Sequence, residues 1–138
     1  MIIMSADLGK ARTGIAVSDS GESFAFPKTV ITEYNEDRLV NKICDIAKEL
    51  KAELIVVGIP KNMDGSEGFR AERCRELADM LRERTGLPVV MMDERMTTMS
   101  ASRYLNETNT RGAKRKGVID TLSAQIILQN ALDRLKNL

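Results

Sequence analysis

Four carboxylates stand where an apolar pattern does not ordinarily tolerate them. Asp7 ends a first apolar run, Asp93 and Glu94 end a later one, and Asp120 falls inside the last amphipathic stretch. A carboxylate withdrawn from water is costly unless it is protonated, hydrogen-bonded or neutralised by a cation. Brought together, these groups would form an anionic cup suited to metal. The chain contains no histidine, which removes the commonest general base and the commonest transition-metal ligand. Oxygen ligands remain, and they suit Mg²⁺ or Mn²⁺.

Each carboxylate also has a plainer reading. Asp7 lies in DLGKARTG, where Gly9 and Gly14 bracket a turn, so it could simply cap that turn. Strand alternation, however, places it on the face of Ile3 and Ser5, the covered side of the sheet. Asp93 and Glu94 follow four apolar residues at the C-terminal end of a strand, where α/β sheets characteristically bind ligands. Adjacent strand residues point to opposite faces, so only one of the two can face Asp7, and the pattern leaves open which. Asp120 stacks over Ser123, Ala124 and Ile127, a small and apolar helix face. A purely structural Asp120 would need a buried partner, and Lys116 is the local candidate.

Basic residues cluster near these acids. Lys10 and Arg12 in the first turn are either solvated charges or phosphate contacts, and Arg95 is either an ion-pair partner or another such contact. Arg111, Lys114, Arg115 and Lys116 precede Asp120, well placed to guide a phosphate backbone. The segment 58–65 lacks the GxxxxGK[ST] spacing, and no GxGxxG occurs, which argues against a nucleotide loop. Within it, Gly58 and Pro60 shape the strand end, and Lys61 and Asn62 are candidate substrate contacts.

The elements that must position these groups follow from periodicity. Residues 2–8, 13–19 and 24–31 read as three strands joined by short connections, hence antiparallel. Leu39, Ile43, Ile46 and Leu50 mark a one-faced helix within 35–51. Leu54 to Val57 is a buried strand, followed by a helix carrying Cys74, Leu77, Ala78 and Leu81 and closed by Gly86 and Pro88. Val89 to Met92 forms a further buried strand. Thr97 or Thr98 can cap a short helix through Leu105, and a last helix runs from about Arg115 to Lys136. Residues 106–117 are polar, glycine-containing and basic, and are expected to be of low order. This succession gives an α/β fold, a mixed sheet covered by helices.

With 138 residues, 43% apolar and 30% charged, the chain suits one globular domain covering residues 1–138. A net charge of +1 predicts no global attraction to polyanions, so nucleic-acid binding must rest on local patches. Cys44 and Cys74 fall on apolar helix faces and read as reduced core residues of a cytosolic protein. The chain opens directly into a strand, with no cleavable apolar segment and no membrane-length run, so a cytoplasmic location is expected.

With DLGKARTGIAVSD, VVGIPKNMDGS, DERMTT and KGVIDTLSAQIILQ in this order, nearly the whole chain resembles the YqgF family, also called RuvX, of Holliday junction resolvases and pre-16S ribosomal RNA nucleases. The resemblance implies an RNase H-like fold, a five-stranded mixed sheet with its first three strands antiparallel, flanked by helices. It further implies that Asp7 from DxG, Glu94 from DER (Asp93 as the alternate) and Asp120 from IDTLSA hold divalent metal and are catalytic. The implied chemistry is Mg²⁺-dependent phosphodiester hydrolysis with two ions roughly 4 Å apart, Asp7 bridging both. The expected substrate is the 5′ end of pre-16S rRNA. Alternatives are a four-way DNA junction, whose symmetric cutting needs a dimer, and non-catalytic nucleic-acid binding in ribosome assembly or transcription. The partner is thus structured or single-stranded RNA, or branched DNA, with the protein a monomer or weak homodimer and no membrane involved. Three Phe, two Tyr and no Trp offer few stacking platforms, so contact is expected mainly with the nucleic-acid backbone.

Overall fold

The computed structural model describes residues 1–59, 68–93 and 112–136, with residues 112–120 and 136 described by backbone alone. Strands β1 (Ile3–Leu8), β2 (Arg12–Ser18) and β3 (Ala25–Thr32) form the expected meander. Helix α1 (Glu36–Leu50), strand β4 (Leu54–Ile59), helix α2 (Phe69–Thr85), strand β5 (Val89–Asp93) and helix α3 (Gly112–Lys136) follow. The sheet order is β3-β2-β1-β4-β5. The first two pairings of the meander are antiparallel, whereas β1 pairs parallel with β4 and β4 parallel with β5. In consequence β1, β3, β4 and β5 all end at the same edge of the sheet.

The two faces carry separate cores, as strand alternation requires. On one side Met4, Ala6, Leu8, Ile55, Val57 and Val89 are buried with Leu39 and Ile43 of α1 and Leu77 and Leu81 of α2. On the other, Ile3, Val56 and Met92 are buried against Ala124, Ile127, Leu128 and Leu132 of α3. β4 has buried residues on both faces, which is why its sequence reads as a continuous apolar run rather than an alternating one. α1 starts at Asn35, whose side chain accepts the Arg38 N–H at 2.9 Å, and α2 ends at Gly86 in the left-handed region at φ 71°. Neither cysteine is in a disulfide; Cys74 is buried and Cys44 half-buried. Burial pushes the Cys44 thiol up, away from the reactive thiolate.

One boundary differs from the sequence expectation. α3 begins at Gly112 rather than near Arg115, so the low-order reading of residues 106–117 is corrected from 112 onward. Ala113, Lys114, Arg115 and Lys116 are all good helix formers, and that propensity prevails over the flanking glycines. The expected short helix from Thr97 or Thr98 lies outside the described residues. No helix among the described residues is long and apolar enough to cross a membrane.

The far edge of the sheet is tied by a titratable turn. Asp19 accepts the backbone N–H groups of Ser23 and Phe24, both at 2.8 Å, and these bonds hold its carboxyl below the ordinary value of 3.8. A depressed folded-state pKa adds stability above the unfolded value, and that stability is lost as pH falls through the folded one. Acid titration of the wild type should therefore show a loss of thermal midpoint below about pH 4 that is smaller in Asp19→Asn. Equal acid sensitivity in the two proteins would remove Asp19 from this role.

Candidate metal and nucleic-acid site

Asp7 is the penultimate residue of β1, half-buried, and pairs with Gly14 across the hairpin. By alternation it shares the face of Ile3 and Ser5, and that face lies under α3. Ser5 is fully buried and donates its hydroxyl to the Ala124 carbonyl of α3 at 2.7 Å. At the opposite end of β1, Gln129 accepts the Ala25 N–H and donates to the Ser23 carbonyl, and Gln125 donates to the Ala25 carbonyl, each at 3.0 Å. Helix α3 therefore crosses the sheet face over β3, β2 and β1, its residues 125–129 at the start of β3 and its N-terminal end directed toward the edge at which β1 ends. From the Ser5–Ala124 contact, two residues along β1 advance about 6.6 Å to Asp7. Four residues back along α3 retreat about 6 Å to position 120. The helix direction thus carries position 120 toward the end of the sheet at which Asp7 lies. The side chain of Asp120 lies outside the described residues.

Asp93 ends β5 opposite Ile59 of β4. Met92 belongs to the α3-side core and Met91 packs on the other side, so alternation puts Asp93 on the α1 and α2 face, opposite Asp7. One strand lies between them, setting their Cα atoms roughly 10 Å apart. Glu94, Arg95, Lys61, Asn62 and Arg111 lie outside the described residues. Lys114, Arg115 and Lys116 occupy the first turns of α3. Among the described residues no group of three or more His, Cys, Asp or Glu side chains could hold a metal ion, and Glu94 and the Asp120 carboxylate lie outside them.

The turn after Asp7 is tightly constrained. The Gly9 N–H donates to the Arg12 carbonyl at 3.0 Å. Arg73 of α2 donates through Nη1 to the Gly9 carbonyl at 3.0 Å and through Nε to Glu36 at 2.9 Å, joining this turn to the start of α1. Sequence reasoning missed Arg73, since nothing in a helical stripe announces a contact with a turn more than sixty residues earlier. Lys10 is exposed and Arg12 half-buried at the start of β2.

The Ser5 bond permits a direct test of how α3 is seated. Ser5→Ala leaves the Ala124 carbonyl only its helical partner and should cost about 1 kcal/mol. That corresponds to a thermal midpoint roughly 3–5 °C lower. An unchanged midpoint would mean that the hydroxyl does not help hold the helix.

Comparison with known proteins gives the family and the fold. The family model described as "RuvX: Holliday junction resolvase" matches residues 1–134. A protein of Agathobacter rectalis named "Putative pre-16S rRNA nuclease" is 40% identical over 140 residues, covering 99% of this chain and 98% of its own. One of the same name from Caldanaerobacter subterraneus is 41% identical over 138 residues, covering 99% of each. Among solved structures, Thermus thermophilus RuvC in complex with a Holliday junction substrate superposes with a TM-score of 0.64 at 12% identity, over 99% of this chain and 96% of that one. At that identity the likeness speaks for the fold alone, which is RNase H-like.

Proposed function

The chain belongs to the RuvX family, and from that premise we propose that it is a nuclease that hydrolyses phosphodiester bonds at the 5′ end of pre-16S rRNA, using divalent metal. The observation that carries this reading is the half-buried Asp7 at the sheet's functional edge. The Ser5–Ala124 bond seats α3 with its N-terminal end directed toward that edge, which supports Asp120 as the companion of Asp7. The names of relatives about 40% identical over nearly the whole chain favour the ribosomal substrate over a DNA junction.

The donor set fits a hard cation. No histidine is present, and the two cysteines lie on α1 and α2, across the sheet from Asp7. Asp7, Glu94 and Asp120 would hold Mg²⁺ or Mn²⁺, one ion or two. Glu94 is preferred to its neighbour because Asp93 occupies the face opposite Asp7. When bound, such metal supplies Lewis-acid polarisation of the phosphate and a nucleophilic water at neutral pH. The protein's own part is to fix carboxylate charge at a position half removed from solvent and to align the strand. Lys114, Arg115 and Lys116 sit at the start of α3, where cations oppose the helix dipole. A polyanion bound there would offset that cost, so these residues, with Lys10 and Arg12, are assigned to the phosphate backbone.

The test compares two substrates with one preparation, a precursor 16S rRNA leader and a synthetic four-way DNA junction, each with Mg²⁺ and with chelator. Metal-dependent cleavage of the leader is expected. Preference for the junction would transfer the assignment to DNA resolution, and binding without cleavage of either would make the protein a non-catalytic factor. The cytoplasm is the compartment in which that ribosomal substrate is made, and we assign the protein there on that ground.

A further inference from the structure

The C-terminal edge of the sheet carries a second feature beside the acidic position. Three described segments come together near this edge: the Asp7 turn, the segment from β3 into α1, and the start of α2. Together they enclose a surface groove of about 520 Å³ lined by Lys10, Tyr34, Glu36, Phe69, Arg70 and Arg73. That size is within the range that holds a small organic ligand. Tyr34 is 76% and Phe69 79% exposed, the two most exposed large apolar side chains of the described residues. The whole chain has only five aromatic residues. Phe24 and Phe26 are also at least half exposed, but they lie at the start of β3, at the other end of the sheet, whereas Tyr34 and Phe69 come from different elements to one groove.

The charges in the groove favour an anion. Arg73 is engaged by Glu36, so those two charges offset each other. Lys10 and Arg70 are exposed and make no ion pair with another described residue. Phe69 and Arg70 open α2, whose N-cap Gly68 has no side chain to satisfy the first amides, so the positive end of the helix faces the same groove. Exposed aromatic faces interleaved with unpaired cations are what an unpaired nucleic-acid strand requires: rings for the bases and charges for the phosphates.

We propose that this groove is a stacking subsite for an unpaired stretch of RNA, with bases on Tyr34 and Phe69 and phosphates on Lys10 and Arg70. The inference rests on the nuclease reading for its substrate class. It also amends the expectation that contact is mainly with the backbone. The strand would leave the groove past Lys10, three residues beyond Asp7 in sequence, which puts the subsite beside the scissile position and gives it control of which nucleotide is presented.

The test measures binding of the full-length protein in chelator, so that no cleavage occurs, by fluorescence polarisation. The probes are a labelled 12-nucleotide single-stranded RNA, its abasic counterpart, single-stranded DNA of the same sequence, and RNA duplex. Tyr34→Ala and Phe69→Ala should each weaken single-stranded RNA roughly 5- to 100-fold. Tyr34→Phe and Phe69→Tyr should retain near-wild-type affinity, and the abasic probe should bind wild type and alanine variants alike. Both side chains are exposed, so unchanged thermal midpoints are expected and are checked in parallel. Unchanged RNA affinity in both alanine variants, or equal weakening toward duplex, would overturn the proposal. Tighter binding of the DNA strand would overturn its assignment to RNA, and a groove that instead drives self-association, lost in the same variants, would assign it to a protein contact. Cleavage by wild type is assayed separately. Its absence with aromatic-dependent binding intact would count against the nuclease reading and leave the subsite standing.

Discussion

Asp7→Asn should lower metal-dependent cleavage by roughly 10³-fold or more, about 4 kcal/mol of lost transition-state stabilisation. The folded protein should survive, because the substitution keeps the shape of the side chain and an oxygen that accepts hydrogen bonds, so its thermal midpoint should stay close to that of the wild type. The pairing of unchanged fold with abolished turnover separates a catalytic carboxylate from a turn cap, whose loss would lower the midpoint by about 1 kcal/mol and leave chemistry largely intact. Single-turnover cleavage of the leader RNA, alongside thermal denaturation, measures both. Cleavage within tenfold of wild type would reject the role.

The second large effect is expected at Gly9. A Cβ built there lies 2.3 Å from the Arg12 carbonyl oxygen, the very atom that accepts the Gly9 N–H. Because the obstruction is backbone, no rotamer change relieves it, and Gly9→Ala must open the turn. The cost should be about 1–3 kcal/mol, seen as a midpoint several degrees lower. Activity should fall further than stability alone explains, since the displaced turn carries Lys10 and begins two residues after Asp7, and since Arg73 loses its acceptor geometry at the Gly9 carbonyl. Gly68 supplies the control: nothing lies within 4 Å of a Cβ built there. Gly68→Ala should cost under about 1 kcal/mol. Comparable losses at the two glycines would mean that close approach is not what Gly9 provides.

Much of this architecture was legible before any coordinates. The alternation of Ile3, Ser5 and Asp7 placed the aspartate on the covered face, and the β-branched run from Leu54 announced a strand buried on both sides. Asp93 illustrates where pattern stops. Two adjacent carboxylates after an apolar run are symmetric in sequence, and only the cores that receive Met91 and Met92 assign Asp93 to the face away from Asp7. The aromatic groove was illegible for another reason, since its residues come from three connections that approach one another only after the sheet order is set. A faint signal existed. Phe69 falls on the far side of α2 from Ala71, Ala78 and the other buried residues, an aromatic off its helix's apolar stripe. Arg73 carried no such mark.

The glutamine pair at the far edge has a consequence for the acidic end. Gln125 and Gln129 fasten α3 to Ser23 and Ala25 through amides. This makes the helix a beam clamped near its middle, with position 120 on an arm of about 7.5 Å. An arm that short converts a 5° error at the clamp into roughly 0.7 Å at its tip, close to the tolerance that productive alignment demands. Amides neither gain nor lose protons across the physiological range, so the span between the two acidic positions is set by a pivot that pH does not turn.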